Sequence, residues 1–263
     1  KYSLLSKIFL FFTASFSLWL IGDVITWTSN NYNFIVAVWA PLDYINVVFF
    51  LLAAYFFIAL VREKDIVVWQ KIILMGLSTP AWWIAFSGGS ITGFNQPQCE
   101  AFNNQWLINY KLVIEVLVIA FITIYWFHSF LKVAKEKRKQ ITVVALGLVL
   151  FLMSFMSTEY IAGQTGIYEI NLYSLFVLPL FLILIIFAIT NLRIFQMRTF
   201  GTQLLTYILL IMVGSQFFFL ENGTDQILTV LTFAISVFLG VTLLRNVSQQ
   251  EKARLKIEKL ASD

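Results

Sequence analysis

Long apolar segments separated by short polar connectors make up most of the chain. The segments have 19 to 27 residues, and a helix needs about 20 to cross the ~30 Å hydrocarbon core of a bilayer. The pattern predicts an all-α, polytopic membrane helical bundle with eight transmembrane helices. The predicted spans are residues 3–28, 35–61, 66–87, 107–133, 141–162, 171–195, 202–220 and 226–245.

The composition agrees with this prediction and excludes other classes of protein. Hydrophobic residues form 60% of the chain and charged residues only 12%, about half the charged fraction of a soluble domain. The net charge of +4 does not indicate nucleic-acid binding, because the basic residues lie at the ends of apolar segments, where membrane insertion places them. We therefore expect the lipid bilayer as a partner and no nucleic acid.

The basic residues also predict how the chain is oriented. Seventeen of the 18 Lys and Arg residues lie on one side of the alternating spans, and the exception, Lys111, lies inside an apolar segment. The connectors 29–34, 88–106, 163–170 and 221–225 contain no Lys or Arg. The positive-inside rule then places these four connectors outside and both termini in the cytoplasm.

Five ionisable residues lie within predicted spans, all toward the outer side. They are Asp23, Asp43, Lys111, Glu115 and Glu159. Ionisable groups are costly in hydrocarbon and tend to face the protein interior with a partner. One interpretation is a single outward-facing polar cavity that binds a ligand or a cation, which makes these residues candidates for sensing a stimulus. The alternative is structural: Lys111 bridges Glu115 and one more acid, while the remaining acids touch water at the interface.

Tryptophans and one long connector surround these groups at the outer side. The tryptophans are typical of an aromatic belt, but Trp39, Trp82 and Trp83 are also candidate walls of the cavity. The connector 88–106 is rich in Gly and Asn and contains Pro97, a composition that predicts an irregular surface lid. It either covers the pocket or is an ordinary solvent-exposed connection.

The tail after the last span has a different character. Residues 246–263 are polar and charged, lack Gly and Pro, and consist largely of good helix formers. A weak heptad pattern favours a coiled-coil linker and hence a homodimer; the alternative is a short amphipathic stub. We therefore divide the chain into a membrane bundle, 1–245, and a cytoplasmic linker helix, 246–263. Candidate signal-transmitting residues are Arg245, Val247, Arg254, Ile257 and Leu260.

The sequence contains no recognisable catalytic motif. It lacks a GxxxxGK[ST] loop, a GxGxxG turn and a Cys/His cluster. The only histidine, His128, lies near the inner end of span four, which excludes a Ser/His/Asp set. We predict no catalytic residue, no metal site and no cofactor in this chain.

Three segments resemble the N-terminal seven-transmembrane region of bacterial sensor histidine kinases. They are Phe16-Ser17-Leu18-Trp19-Leu20-Ile21-Gly22, Phe187-Ala188-Ile189-Thr190-Asn191-Leu192-Arg193-Ile194-Phe195 and Arg254-Leu255-Lys256-Ile257-Glu258-Lys259-Leu260-Ala261. The chain departs from the family pattern where Asn191-Leu192 replaces the usual aromatic residue before Arg193, and where Gln196 replaces a frequent Asp or Asn.

The resemblance implies the sensory module of a two-component histidine kinase in the bacterial cytoplasmic (inner) membrane. It implies ATP and a response regulator for the parent protein only, because no phosphoacceptor or nucleotide-binding motif occurs before Asp263. A stimulus at the outer leaflet would repack the spans around the polar residues and act on the tail. The main rival is a small cation- or proton-coupled transporter, which has no need of a helical tail. Two further alternatives are a membrane enzyme acting on lipid and a sensor with another output, such as a cyclase.

Overall fold

The chain is mostly helical (89%) in the computed structural model. The structure describes residues 4–29, 31–95, 100–165, 167–177, 179–181 and 230–242, together with Arg245 and Gln249. The described helices are α1 (Leu4–Thr28), α2 (Tyr32–Arg62), α3 (Val68–Phe86), α4 (Gln105–Lys132), α5 (Lys135–Thr165) and α6 (Val230–Thr242), with a 3-10 helix, Tyr168–Phe176, after α5.

Helices α1 to α5 coincide with the first five predicted spans. Within the described ranges, four segments are long and apolar enough to cross a membrane: Lys7–Thr26, Tyr32–Arg62, Gln105–Lys132 and Lys137–Thr165. Helix α3, with 19 residues, is not one of them, because polar residues such as Gln70 and Lys71 lower its mean hydropathy.

The later predicted spans are described only in part. Helix α6 lies within the predicted span 226–245 but is a shorter apolar helix. The span 171–195 begins with the 3-10 helix, in which Ser174 Oγ donates a hydrogen bond to the Asn171 carbonyl at 2.7 Å, the kind of local bond that competes with regular helix. The rest of that span beyond residue 181, the span 202–220 and most of the tail lie outside the described residues, so the count of eight stays a prediction.

The ends of α2 show why that helix has its observed limits. Asn31 caps its N-terminus by accepting a hydrogen bond from the Phe34 N–H at 3.3 Å, as N-cap residues do. After Arg62, Glu63 adopts a left-handed conformation (φ 55°) and its N–H donates to the Ala59 carbonyl at 2.9 Å. This C-terminal motif ends the helix and turns the chain toward α3.

An antiparallel hairpin stands beside the predicted helices and corrects the expectation of an irregular connector at 88–106. Strand β1 (Ile91–Asn95) pairs with β2 (Glu100–Asn103), with Phe94 opposite Ala101 and an irregularity between Ile91 and Gly93. Short strands of this kind escape hydropathy analysis because they lack the length of a membrane span. The hairpin leads straight into the first turn of α4.

Asn104 fastens the base of the hairpin to α4. Its side-chain oxygen accepts a hydrogen bond from the Trp106 N–H at 2.9 Å and so caps α4. Its backbone N–H donates to the Ser90 carbonyl at 2.7 Å, and its side-chain amide donates to the Gly89 carbonyl at 3.1 Å. One residue therefore fixes the hairpin against the N-terminal end of α4.

Phenylalanine rings from α1, α2 and α5 form an aromatic core. This core comprises Phe12, Phe16, Phe49, Phe151 and Phe155, all buried. The Phe16 ring meets Phe151 and Phe155 edge-on, with centroids 5.0 and 5.2 Å apart, an arrangement that aromatic pairs prefer. The core therefore packs these three helices together one or more helical turns away from Asp23, Asp43 and Glu159.

Helices α1 and α2 approach closely at Gly22. A Cβ added at Gly22 would collide with the side chain of Leu42, which is buried. Small residues allow such close contact between membrane helices. The contact sets α1 beside Asp43, the residue that follows Leu42.

Candidate functional site: a buried ionic cluster

Lys111 of α4 lies between carboxylates from two other helices. Its Nζ donates to Asp43 Oδ1 of α2 at 2.7 Å and to Glu159 Oε1 of α5. Lys111 is only 5% exposed and Asp43 only 4%. A single ammonium group therefore links α2, α4 and α5.

Two asparagines extend this arrangement. Asn46 Nδ2 donates to Glu159 Oε2 at 2.7 Å, and Asn103 Nδ2 of the hairpin donates to Asp43 Oδ1 at 3.1 Å. Asn46 lies one helical turn after Asp43, so both side chains occupy the same face of α2. Sequence reasoning missed both asparagines; the only signal was an amide at position 46 within an otherwise apolar run.

Glu115 lies one turn further along α4 and is 3% exposed. It is near enough to interact electrostatically with Glu159 and Lys111, and its side chain interacts with Asn46. Its Oε1 atom has no hydrogen-bond partner among the described residues. We call Asp43, Asn46, Lys111, Glu115 and Glu159 the ionic cluster.

The geometry corrects one detail of the structural alternative considered from the sequence. That alternative paired Lys111 with Glu115, four residues later on the same helix. In the described part of the chain, the ion pairs of Lys111 are with Asp43 and Glu159 instead. The long lysine side chain reaches across to neighbouring helices, where the buried Asp43 carboxylate requires a counter-charge.

A cavity of about 100 Å³ adjoins the cluster. Its charged lining residues are Asp23, Asp43, Lys111 and Glu159. Aromatic rings and amides complete much of the rest of the wall: Trp19, Trp39, Phe155, Asn103 and Asn171. The cavity thus combines an excess of acidic groups with aromatic surfaces.

The structure brings together some of the predicted site residues and not others. Asp23, Asp43, Lys111, Glu159 and Trp39 line one cavity, and Glu115 is buried within the cluster beside it. Their common location depends on helix packing that the sequence alone did not specify.

The other predicted residues lie elsewhere. Trp82 and Trp83 of α3 are outside the cavity lining and are 46% and 66% exposed, as in an interfacial aromatic belt. Arg245 is helical and exposed. Val247, Arg254, Ile257 and Leu260 fall outside the described residues, so their signalling role stays a prediction.

A second group of charges lies at the C-terminal end of α2. Lys71 Nζ donates to Asp65 Oδ2 at 2.5 Å, and the Tyr55 hydroxyl donates to Asp65 Oδ1 at 2.6 Å. The hydrogen bond from Lys71 holds the pKa of Asp65 below its ordinary value of 3.8, and the Tyr55 bond acts in the same direction. We call Asp65, Lys71, Glu63 and Lys137 the connector pairs, since Lys137 also pairs with Glu63 at 2.7 Å.

The described part of the chain contains no group of three or more His, Cys, Asp or Glu residues that could hold a metal ion. By their length and apolar character, the described helices indicate a helical membrane protein. No protein-family model, curated protein or solved structure matches the chain. Any function must therefore be inferred from the ionic cluster and its cavity.

Proposed function

We propose that this chain is the membrane sensory module of a signal-transduction protein, namely a two-component sensor histidine kinase of the bacterial inner membrane. The observation that supports the proposal is the sharing of Lys111 between Asp43 of α2 and Glu159 of α5. A stimulus that changes the charge at this point alters the attachment of three helices at once. Such coupling is what a sensor needs to convert a chemical event into helix movement.

The charge balance of the ionic cluster makes it sensitive to a neutralising partner. The cluster holds three carboxyl groups, those of the buried Asp43 and Glu115 and the partly exposed Glu159, against one ammonium group, so the fully ionised cluster carries two uncompensated negative charges. An uncompensated buried charge costs several kcal/mol. A proton or a cation that binds there therefore favours one packing of the helices over another, and its differential affinity sets the size of the shift.

The remaining parts of the proposal follow the predicted topology. Both termini lie in the cytoplasm, and the linker helix 246–263 carries the displacement to an output domain in a homodimer. The parent protein uses ATP and passes phosphate to a response regulator. The full reading frame tests this part directly: a protein without a phosphoacceptor domain and a nucleotide-binding domain contradicts the kinase assignment.

The functional experiment uses the full-length protein in proteoliposomes. Autophosphorylation is measured while the pH on the outer side is stepped, because protons neutralise carboxylates. We expect Lys111→Met and Glu159→Gln to hold the activity at one level whatever the outer pH. The matched controls, Lys137→Met and Glu63→Gln, break an exposed ion pair and should keep the wild-type response. A full response in both cluster variants contradicts the proposal.

A cation- or proton-coupled transporter is the second candidate, because buried acids beside a cavity also suit an ion carrier. The same proteoliposomes distinguish the two. A sensor shows no net uptake of protons or sodium ions above that of empty vesicles. Uptake that Glu159→Gln abolishes, with Glu63→Gln unaffected, favours the transporter.

A further inference from the structure

We propose that the cavity beside the ionic cluster binds a small primary ammonium ion, of the size of methylammonium to ethanolamine. The inference deepens the proposed function, because the role of the ammonium ion as a stimulus rests on that function. Binding itself is measured without any signalling output, so the two can fail separately.

The charge of the cavity selects a cation. Asp23, Asp43 and Glu159 line it, against Lys111 as the basic lining residue. The Lys111 ammonium already donates to both Asp43 and Glu159. A bound anion would face these carboxylates, whereas a bound cation supplies the charge that they require.

Three residues of the lining also carry buried acceptor atoms without a partner, and these favour a ligand that is a hydrogen-bond donor. Asp43 Oδ2, Asn103 Oδ1 and Asn171 Oδ1 are buried and have no hydrogen-bond partner among the described residues. All three are acceptors, and the orientation of Asn103 is fixed because its Nδ2 donates to Asp43. An alkylammonium ion carries three N–H donors on one nitrogen. Asp43, almost wholly buried, is therefore the residue we expect to hold it.

The aromatic wall favours an organic cation over a hydrated inorganic one. Trp19, Trp39 and Phe155 line the cavity, and the Trp19 and Phe155 rings meet edge-on with centroids 5.8 Å apart. Aromatic faces attract organic cations through their ring quadrupoles and also bury the attached alkyl groups. A sodium ion gains less from such a wall, because it must first give up its hydration shell.

The volume limits the ligand to a few non-hydrogen atoms. A cavity of about 100 Å³ has room for several waters but not for an amino sugar or a peptide. Ligands of so few atoms bind weakly even at their best. At best, we expect a dissociation constant of about 6 mM for methylammonium, with two non-hydrogen atoms, and of about 40 μM for ethanolamine, with four.

The binding test uses the purified chain in maltoside micelles, which contain no amine. Equilibrium dialysis with radiolabelled methylammonium at pH 7 should show one saturable site per chain. Ethanolamine should compete strongly, tetramethylammonium more weakly because it has no N–H donor, and sodium least. Absence of saturable binding overturns the proposal, and so does competition by sodium equal to that by ethanolamine.

Variants locate the site. Asp43→Asn should weaken methylammonium binding at least tenfold, and Trp39→Leu several-fold, whereas Trp39→Phe keeps an aromatic face and should stay within about twofold of wild type. The matched controls Asp65→Asn and Trp82→Leu lie outside the cavity lining and should bind as wild type. If Asp43→Asn does not give a folded, monodisperse protein, the comparison of Trp39→Leu with Trp39→Phe decides whether the cavity is the binding site. Wild-type binding by Trp39→Leu overturns the assignment.

A comparison with full-length autophosphorylation separates the two proposals. Binding without any change in phosphorylation leaves the ammonium site in place and contradicts its sensory role. A pH response that depends on Lys111, without methylammonium binding, supports the sensor and overturns the ligand class.

Discussion

Two lysine–carboxylate pairs of the same chemistry, one at Asp43 within α2 and one at Asp65 just after its C-terminal end, differ in their surroundings. Lys111 and Asp43 are 2.7 Å apart with side chains 6% and 4% exposed. Lys71 and Asp65 are 2.5 Å apart with side chains 37% and 43% exposed. The shorter pair is the one in contact with water.

The burial of each pair, and not the distance between its charged atoms, decides how much the pair contributes to stability. An exposed pair contributes about 0–1 kcal/mol, because water competes for both partners and salt screens their attraction. Removing one partner of a buried pair costs about 3–5 kcal/mol, because the other charge is left buried and uncompensated. Substitutions in the two pairs and in the packing beside the cavity should differ in their effects on stability accordingly.

The variant Lys111→Met should give the largest loss of stability. It leaves Asp43 and Glu159 facing each other without the ammonium group, and we expect a loss of about 3–5 kcal/mol in the free energy of unfolding. Thermal or denaturant unfolding of the purified protein in detergent measures it. The triple variant Lys111→Met, Asp43→Asn, Glu159→Gln should regain most of the loss. If the free energy of unfolding of Lys111→Met lies within about 1 kcal/mol of the wild-type value, the cluster behaves like an exposed pair.

The packing of α1 against α2 beside the cavity can be tested at Gly22. Gly22→Ala should destabilise the protein by about 1–3 kcal/mol, because the new methyl group displaces buried Leu42 at the wall of the cavity. Gly76→Ala in α3 is the matched control, with nothing within 4 Å of the added Cβ, and should gain about 0.5–1 kcal/mol from helix propensity. Equal effects of the two substitutions would rule out a tight α1–α2 contact.

The variant Lys71→Met should change the free energy of unfolding by less than about 1 kcal/mol. High salt should shrink even this difference, since exposed charges are screened. The measurement is the same unfolding experiment in low and high sodium chloride. A loss comparable to that of Lys111→Met would refute the ranking by burial.

The smallest effect is the pH dependence of the Asp65 pair. The pKa of Asp65 in the folded protein lies below its ordinary value of 3.8 because of the Lys71 hydrogen bond. Its contribution to stability is therefore present above pH 3.8 and is lost as the pH falls through the folded-state pKa. Melting curves of the wild type measured between pH 6 and pH 3 should contain this small pH-dependent component. In Asp65→Asn the component should be absent. A contribution that instead grows as the pH falls would reverse the sign of the shift.

The sequence specified most of the described helices because the length and apolar character of a span are local properties. It placed α1, α2 and α4 to within three residues at each end. It started α5 six residues late, since the charged run Lys135–Gln140 resembles a connector yet consists of good helix formers. The hairpin escaped because five-residue strands leave no comparable signal.

The sequence indicated the site only as a set of ionisable residues whose placement in hydrocarbon is energetically costly. Charges in apolar segments marked Asp43, Lys111, Glu115 and Glu159, because burial of each requires a partner. Which residues pair depends on helix rotation and depth, so the sequence could not separate Trp39, at the cavity, from Trp82, on the exposed face of α3. The hairpin amide of Asn103 became visible only when tertiary structure placed it beside Asp43.

The aromatic core has an electrical consequence. Phe155 lines the cavity, and its ring contacts those of Phe16, Phe49 and Phe151, all buried. A hydrated cation leaving the cavity along α5 from Phe155 toward Phe151 would meet closely packed rings that offer it no oxygen ligand. This layer of rings would therefore block the movement of an ion along the helices unless the rings separated.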